Sequence, residues 1–94
     1  MGVTDEIADS VLLAVASIPP GQVASYGQIA EIVGQGGPRT VARIMATRGG
    51  SVCWWRVVHA DGTIAPHLAA EASRRLAAEG VVVRDGRVVR PGRM

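Results

Sequence analysis

The stretch Ser25-Tyr26-Gly27-Gln28-Ile29-Ala30-Glu31-Ile32-Val33-Gly34-Gln35-Gly36-Gly37-Pro38-Arg39-Thr40-Val41-Ala42-Arg43-Ile44-Met45 decides the fold. Serine followed three residues later by glutamine is a capping box. The hydroxyl takes the N–H of the third helical residue and the amide reaches back to the serine N–H. A helix therefore opens at Ser25. Ile29, Ala30 and Val33 give it an apolar stripe, and Gly34 is placed to end it. Gln35-Gly36-Gly37 makes a short turn. Pro38 suits the first position of a next helix, where its missing N–H has no intrahelical partner to lose. In that helix Val41 and either Ile44 or Met45 face inward. Arg39 and Arg43, four apart, share the outer face with Thr40 nearby. Helix, short glycine turn, helix is a helix-turn-helix pattern. Such a corner also occurs in small helical domains that bind no nucleic acid.

Upstream, residues 4–17 read as a helix. Thr4 caps it, Asp5 and Glu6 sit favourably in its first turn, and Ile7, Val11, Ala14 and Val15 recur at helical spacing. Pro19-Pro20-Gly21 ends it. Downstream, Gly49-Gly50 breaks the chain, and Val52 to Val58 is an apolar, aromatic run that reads as a strand or extended segment. Asp61-Gly62 marks a turn before Thr63-Ile64. Leu68 to Glu79 reads as a fourth helix with Leu68, Ala72 and Leu76 in its stripe, ended by Gly80. Val81-Val82-Val83 and Val88-Val89 flank Arg84-Asp85-Gly86-Arg87 as a hairpin, and residues 90–94 read as a frayed tail. The expected architecture is a single α+β domain over 1–94, winged-helix-like around the helix-turn-helix.

Composition narrows the function. The 94 residues are 48% hydrophobic, enough for one compact core. No run approaches the roughly 18 apolar residues of a membrane span, and the acidic N-terminus does not resemble a signal peptide. A single cysteine, Cys53, forms no internal disulfide and suits a reducing cytoplasm. With His59 and His67 it is too small a set for a closed zinc site, and no cofactor is expected. Net charge is +2, all ten basic residues are arginine, and every arginine lies at or after Arg39. That asymmetry implies an acidic face and a separate basic one.

Three segments together resemble the C-terminal domain of the O6-alkylguanine-DNA alkyltransferases. Ile18-Pro19-Pro20-Gly21-Gln22-Val23-Ala24-Ser25-Tyr26-Gly27-Gln28-Ile29-Ala30 is similar to that family's proline-glycine turn and Tyr-Gly-x-Ile-Ala helix start. Pro38-Arg39-Thr40-Val41-Ala42-Arg43-Ile44-Met45 resembles its recognition helix. Trp54-Trp55-Arg56-Val57-Val58 falls where the family has Pro-Cys-His-Arg-Val-Val, and Leu76-Ala77-Ala78-Glu79-Gly80-Val81 also fits. The likeness spans roughly residues 7–83.

The departures carry the functional reading. The register puts Trp54 at the nucleophile position and Trp55 at the histidine position. Alkyl transfer needs a thiolate and a neighbouring base, and indole is neither. The resemblance is thus to the alkyltransferase-like subgroup, which lacks the reactive cysteine. It implies a non-enzymatic sensor that holds O6-alkylguanine by nucleotide flipping and flags it for nucleotide excision repair. The implied partners are double-stranded DNA carrying that lesion and nucleotide excision repair proteins. The sensor is expected to be a monomer, cytoplasmic and nucleoid-associated when on DNA.

The resemblance also assigns roles. Tyr26 turns the damaged nucleotide out, Arg39 fills the gap in the stack, and Arg43, Thr40 and Ser25 join them on DNA. Trp54 walls the lesion pocket, with Arg56, Val57, Val58 and His67 as its other members and Trp55 packed behind. Glu79 matches the acid that supports the family's histidine and is read here as structural. Three alternatives remain from the sequence: an alkyltransferase using Cys53, a winged-helix regulator of undamaged DNA, and an interaction module that has lost DNA binding. Cys53 has no adjoining histidine, and a one-residue shift in an extended segment turns it to the other face.

Overall fold

The computed structural model describes residues 5–89 in full, together with the backbone of Arg90, Gly92 and Arg93. Helix α1 (Asp5–Ala16) carries Asp5 and Glu6 in its first turn and buries Ala8, Val11 and Val15. Its expected cap, Thr4, lies outside the described residues. Strand β1 (Gln22–Ser25) leads directly into α2 (Tyr26–Val33). The capping box is present in full: Ser25 Oγ accepts from the Gln28 N–H at 3.0 Å, and Gln28 Oε1 accepts from the Ser25 N–H at 2.8 Å. Gly34 closes α2 in the left-handed conformation. Helix α3 (Gly37–Arg48) has Pro38 in its first turn and buries Val41 and Ile44. Of the two candidates for the inward position, Ile44 is buried and Met45 is half-buried.

Beyond α3 the chain runs through a 3-10 turn (Gly49–Ser51), a second one (Trp54–Arg56) and the two-residue β2 (Val57–Val58). A third 3-10 turn (Pro66–Leu68) precedes α4 (Ala69–Ala78). Strands β3 (Val82–Arg84) and β4 (Arg87–Arg90) form an antiparallel hairpin. Its two-residue loop, Asp85-Gly86, has positive φ at both positions (50° and 73°), as a type I′ turn requires. The expected frayed tail is corrected in part: Arg90 completes β4, and Gly92–Arg93 form β5, parallel to Gln22–Val23 of β1.

Strand β1 is the spine of the molecule. It pairs in parallel with β2, Ala24 opposite Val57 and Ser25 opposite Val58. Successive strand residues point to opposite faces. Ala24 and Val57 therefore enter a core built from Val11, Val15, Ile18, Ile29, Val41 and Ile44 of the first three helices and the turn after α1. Val23 and Val58 enter a second core with Ile64, Ala72, Leu76, Val81 and Val88 under α4 and the hairpin. Truncating Ile29 or Leu76, both fully buried, to alanine costs about 2–5 kcal/mol. The result is an α+β, winged-helix-like domain whose helix-turn-helix rests on one core and whose hairpin rests on the other.

Candidate nucleic-acid interface

Helix α3 turns one face to the core through Val41 and Ile44. Arg39, Ala42, Arg43 and Ala46 follow one another at helical i, i+3, i+4, i+7 spacing along a single outer stripe. The Arg39 and Arg43 side chains make no hydrogen bond or ion pair among the described residues, and Arg39 is exposed. Other described arginines are engaged: Arg48 with Asp5 and Asp9, Arg56 with Glu79, Arg74 and Arg75 with Glu71. The alanines leave the stripe low, so a second surface can approach the helix closely. Thr40 lies back against the turn, where a Cβ on Gly36 would meet its Cγ2 at 3.0 Å. Ser25 spends its hydroxyl oxygen on the helix cap.

The stripe ends at a cavity of about 470 Å³. Ala42, Met45, Ala46 and Gly49 form one side, and Ile64, Ala65, Leu68 and Ala72 another. The remaining wall is aromatic. Tyr26, Trp54, Trp55, His59 and His67 all line it. The chain has no phenylalanine, one tyrosine, two tryptophans and two histidines, so every ring side chain except proline converges on this one space. No acidic residue lines it.

The aromatic wall corrects the reading of residues 52–58 as extended. Trp54 to Arg56 curl into a 3-10 turn, and only Val57–Val58 form a strand. The cause is Glu79 at the end of α4. The Trp55 indole N–H donates to Glu79 Oε2 at 2.9 Å, and Arg56 donates to the same carboxylate from Nε at 3.0 Å and Nη2 at 2.6 Å. In a strand these adjacent side chains would diverge; meeting one carboxylate requires the curl. As a consequence both tryptophans face the cavity, edge to face with centroids 5.9 Å apart, and Trp55 is not behind Trp54. The Arg75 guanidinium stands 4.7 Å from the Trp55 ring centre, and that of Arg56 5.3 Å.

Two expected pocket members lie elsewhere. Arg56 is drawn to Glu79 and also donates to the Ile18 carbonyl at 2.9 Å, and Val58 points into the second core. Val57, Trp54 and His67 do line the cavity. Hydrogen bonds from Arg56 hold the Glu79 carboxyl down at about 2, from an ordinary 4.5, against burial that would raise it. The Gly21 N–H and the Trp55 indole add to the effect. Gly21 has φ of 85°, and a Cβ there would stand 3.3 Å from the Glu79 carbonyl oxygen, so glycine is needed at this junction. Burial raises the Tyr26 hydroxyl above its ordinary 10.0, which keeps it a neutral donor. It has no hydrogen-bond partner among the described residues. The Cys53 thiol points to α1, where it donates to the Val15 carbonyl at 3.0 Å, and it does not line the cavity.

Sequence reasoning missed Trp55 and His59 as cavity residues. The His59 ring lies 5.2 Å from that of Tyr26 at the rim. The available signal was composition: in a chain with five such rings, four fall within residues 54–67. Among the described residues no group of three His, Cys, Asp or Glu is arranged to hold a metal ion, and no helix is long and apolar enough to cross a membrane.

A low cationic stripe on the second helix of a helix-turn-helix, leading to a ring-lined cavity, defines a DNA-binding domain of the winged-helix type. The model of the 6-O-methylguanine DNA methyltransferase DNA-binding domain matches residues 6–81, and the chain belongs to that family. Among solved structures it is similar to Atl1 of S. pombe in complex with damaged DNA containing O6-carboxymethylguanine. The identity there is 33%, with a TM-score of 0.78 over 88% of this chain and 83% of that one. A second structure, S. pombe ATL in complex with DNA, is 32% identical with a TM-score of 0.77, over 93% and 90% of the two chains. A point variant of the OGT protein of Mycobacterium tuberculosis is 26% identical with a TM-score of 0.70, over 89% of this chain and 53% of that one. No curated protein matches.

Proposed function

We propose that this protein is a non-enzymatic sensor of O6-alkylguanine in duplex DNA. It takes the damaged nucleotide out of the stack, holds the base in the aromatic cavity, and presents the complex to nucleotide excision repair. The observation that carries the reading is the convergence of Tyr26, Trp54, Trp55, His59 and His67 on one cavity at the end of the α3 stripe. Indole faces stack on a base at about 1–3 kcal/mol per base, and an apolar surround adds about 0.8 kcal/mol per buried alkyl methylene. These gains offset the few kcal/mol that unstacking costs. Arg39, exposed at the first turn of α3, fills the vacated stack, and Arg43 meets a phosphate.

No thiol lines the cavity to accept an alkyl group. The space is lined by two indoles where a thiol and an imidazole would be required, and the Cys53 thiol faces α1. A winged-helix regulator of undamaged DNA would have no use for a cavity of this size. The S. pombe relative bound to O6-carboxymethylguanine DNA gives the lesion reading independent support.

The extrusion step is tested with 2-aminopurine placed beside O6-methylguanine in a short duplex. Its fluorescence rises on binding as the lesion leaves the stack. Tight binding with no change in fluorescence would mean the base stays in the helix. Intact-protein mass after the same incubation is expected to remain unchanged.

A further inference from the structure

We propose that His59 is a DNA-backbone contact that works as a pair with Tyr26, and that its protonation makes lesion binding pH-dependent; the inference rests on the DNA-binding reading above. His59 is exposed at the cavity rim, and its ring packs against Tyr26, centroids 5.2 Å apart and planes inclined at 47°. Its backbone is fixed from both directions: the His59 N–H donates to the Thr63 carbonyl at 2.9 Å, and the His59 carbonyl accepts from the Gly62 N–H at 2.9 Å. The turn is therefore pinned while the ring itself makes no hydrogen bond among the described residues.

Tyr26 is the first residue of α2, so His59 stands at that helix's N-terminus. The capping box uses the Gln28 N–H, and Ser25, just before the helix, pairs with Val58 of β2. A neutral tyrosine hydroxyl and an imidazole thus lie together on the rim. Both can donate, and a phosphate is an acceptor that such a pair fits. When Tyr26 holds the phosphate beside an extruded nucleotide, His59, packed against the Tyr26 ring, meets the same group.

Charged and titratable groups lie around His59 from several elements. Tyr26, from α2, is neutral. His67, from the segment before α4, lines the same cavity. Asp61, in the same turn as His59, accepts from the N–H and hydroxyl of Thr63 at 3.0 and 2.7 Å. Arg87, from the hairpin, donates to the Asp61 carbonyl at 3.0 Å. An imidazolium meets a phosphate brought to the ring more strongly than a neutral imidazole does, so binding tightens as pH falls.

The test is a titration of the full chain with an O6-methylguanine duplex at about pH 6 and about pH 8, in the wild type, His59→Ala, His59→Gln and His67→Ala. The wild type binds several-fold more tightly at the lower pH than at the higher, and His67→Ala, weakened by the loss of a cavity residue, keeps that ratio. His59→Ala loses roughly tenfold at about pH 6 and its affinity becomes pH-independent, with a salt slope shallower by about one unit. His59→Gln keeps a donor and recovers part of the affinity, but its profile stays flat. Because the residue is exposed, thermal midpoints are unchanged, which separates contact from folding. His59→Ala with wild-type affinity and pH profile would overturn the inference while leaving the sensor reading intact. Wild-type protein that binds neither damaged nor undamaged duplex would overturn both.

Discussion

The Trp55 indole N–H donates to Glu79 Oε2 at 2.9 Å, so a tryptophan occupies the hydrogen-bonding seat that the family resemblance assigns to a histidine. The same carboxylate holds Arg56 through a side-chain pair in which only 12% and 14% of the partners' surface remains exposed. One acid at the end of α4 therefore shapes the whole Trp54–Arg56 turn and, through it, the aromatic wall.

Glu79 makes stability acid-sensitive in a defined window. Its folded carboxyl titrates at about 2 against an ordinary 4.5. A group depressed on folding contributes fully above the unfolded value, and the contribution is lost as pH falls toward the folded one. Wild-type urea stability is expected to decline between about pH 4.5 and about pH 2 by an amount of order 2 kcal/mol from this group. Glu79→Gln removes that part of the decline and, by leaving Arg56 unpaired, lowers stability at neutral pH by about 3 kcal/mol. Parallel pH profiles for the two proteins would contradict the assignment.

Chemistry should return only when both tryptophans are replaced. In Trp54→Cys a thiol faces the cavity beside an indole, has no imidazole at the neighbouring position and stays protonated, so it accepts no alkyl group. Trp54→Cys/Trp55→His puts an imidazole between that thiol and Glu79. Intact mass after incubation with O6-methylguanine DNA is expected to show methyl replacing hydrogen in the double variant alone. Transfer by the single variant would show that Trp55 is not what withholds the base.

Arg39 and Arg43 of α3 separate by their effects. Arg43→Ala weakens damaged and undamaged duplexes equally and reduces the salt slope by about one, as loss of a phosphate contact does. Arg39→Ala falls mainly on the lesion duplex, by roughly tenfold or more, because an empty stack is left behind the extruded base. Equal losses for both variants on both duplexes would remove Arg39 from its gap-filling role.

Gly49→Ala tests the cavity without touching charge. A Cβ there would stand 2.9 Å from Met45 Cε and 3.3 Å from Sδ, so the methionine end must move. That end is flexible, and stability should change by less than about 1 kcal/mol. Both residues line the cavity. Lesion affinity is expected to fall several-fold, more for a bulky adduct than for methyl; unchanged discrimination between adducts would place the alkyl group elsewhere.

The sequence was most legible where local chemistry decides structure. The Ser25–Gln28 box, the Gly34 cap, the Pro38 helix start and the Asp85-Gly86 turn each follow from a few adjacent residues, and all are observed. It was least legible where a distant partner decides. Residues 52–58 have the composition of a strand, yet Glu79, more than twenty residues on, pulls Trp55 and Arg56 to one side and curls the backbone. Strand β1 is four residues long, too short to announce itself, and its role as the divider of two cores depends on β2 pairing beside it. His59 lacks any local motif. Only the three-dimensional approach of its turn to the start of α2 makes it part of the site.

The central claim is that the aromatic cavity selects alkylated guanine. The most direct measurement is a competition titration between two otherwise identical duplexes, one carrying O6-methylguanine and one carrying guanine, at fixed salt because phosphate contacts make affinity salt-dependent. The account predicts a clear preference for the alkylated duplex, abolished in Trp54→Ala with binding to the plain duplex retained. Equal affinity of the wild type for both duplexes would contradict it and leave a DNA-binding domain that does not read the lesion.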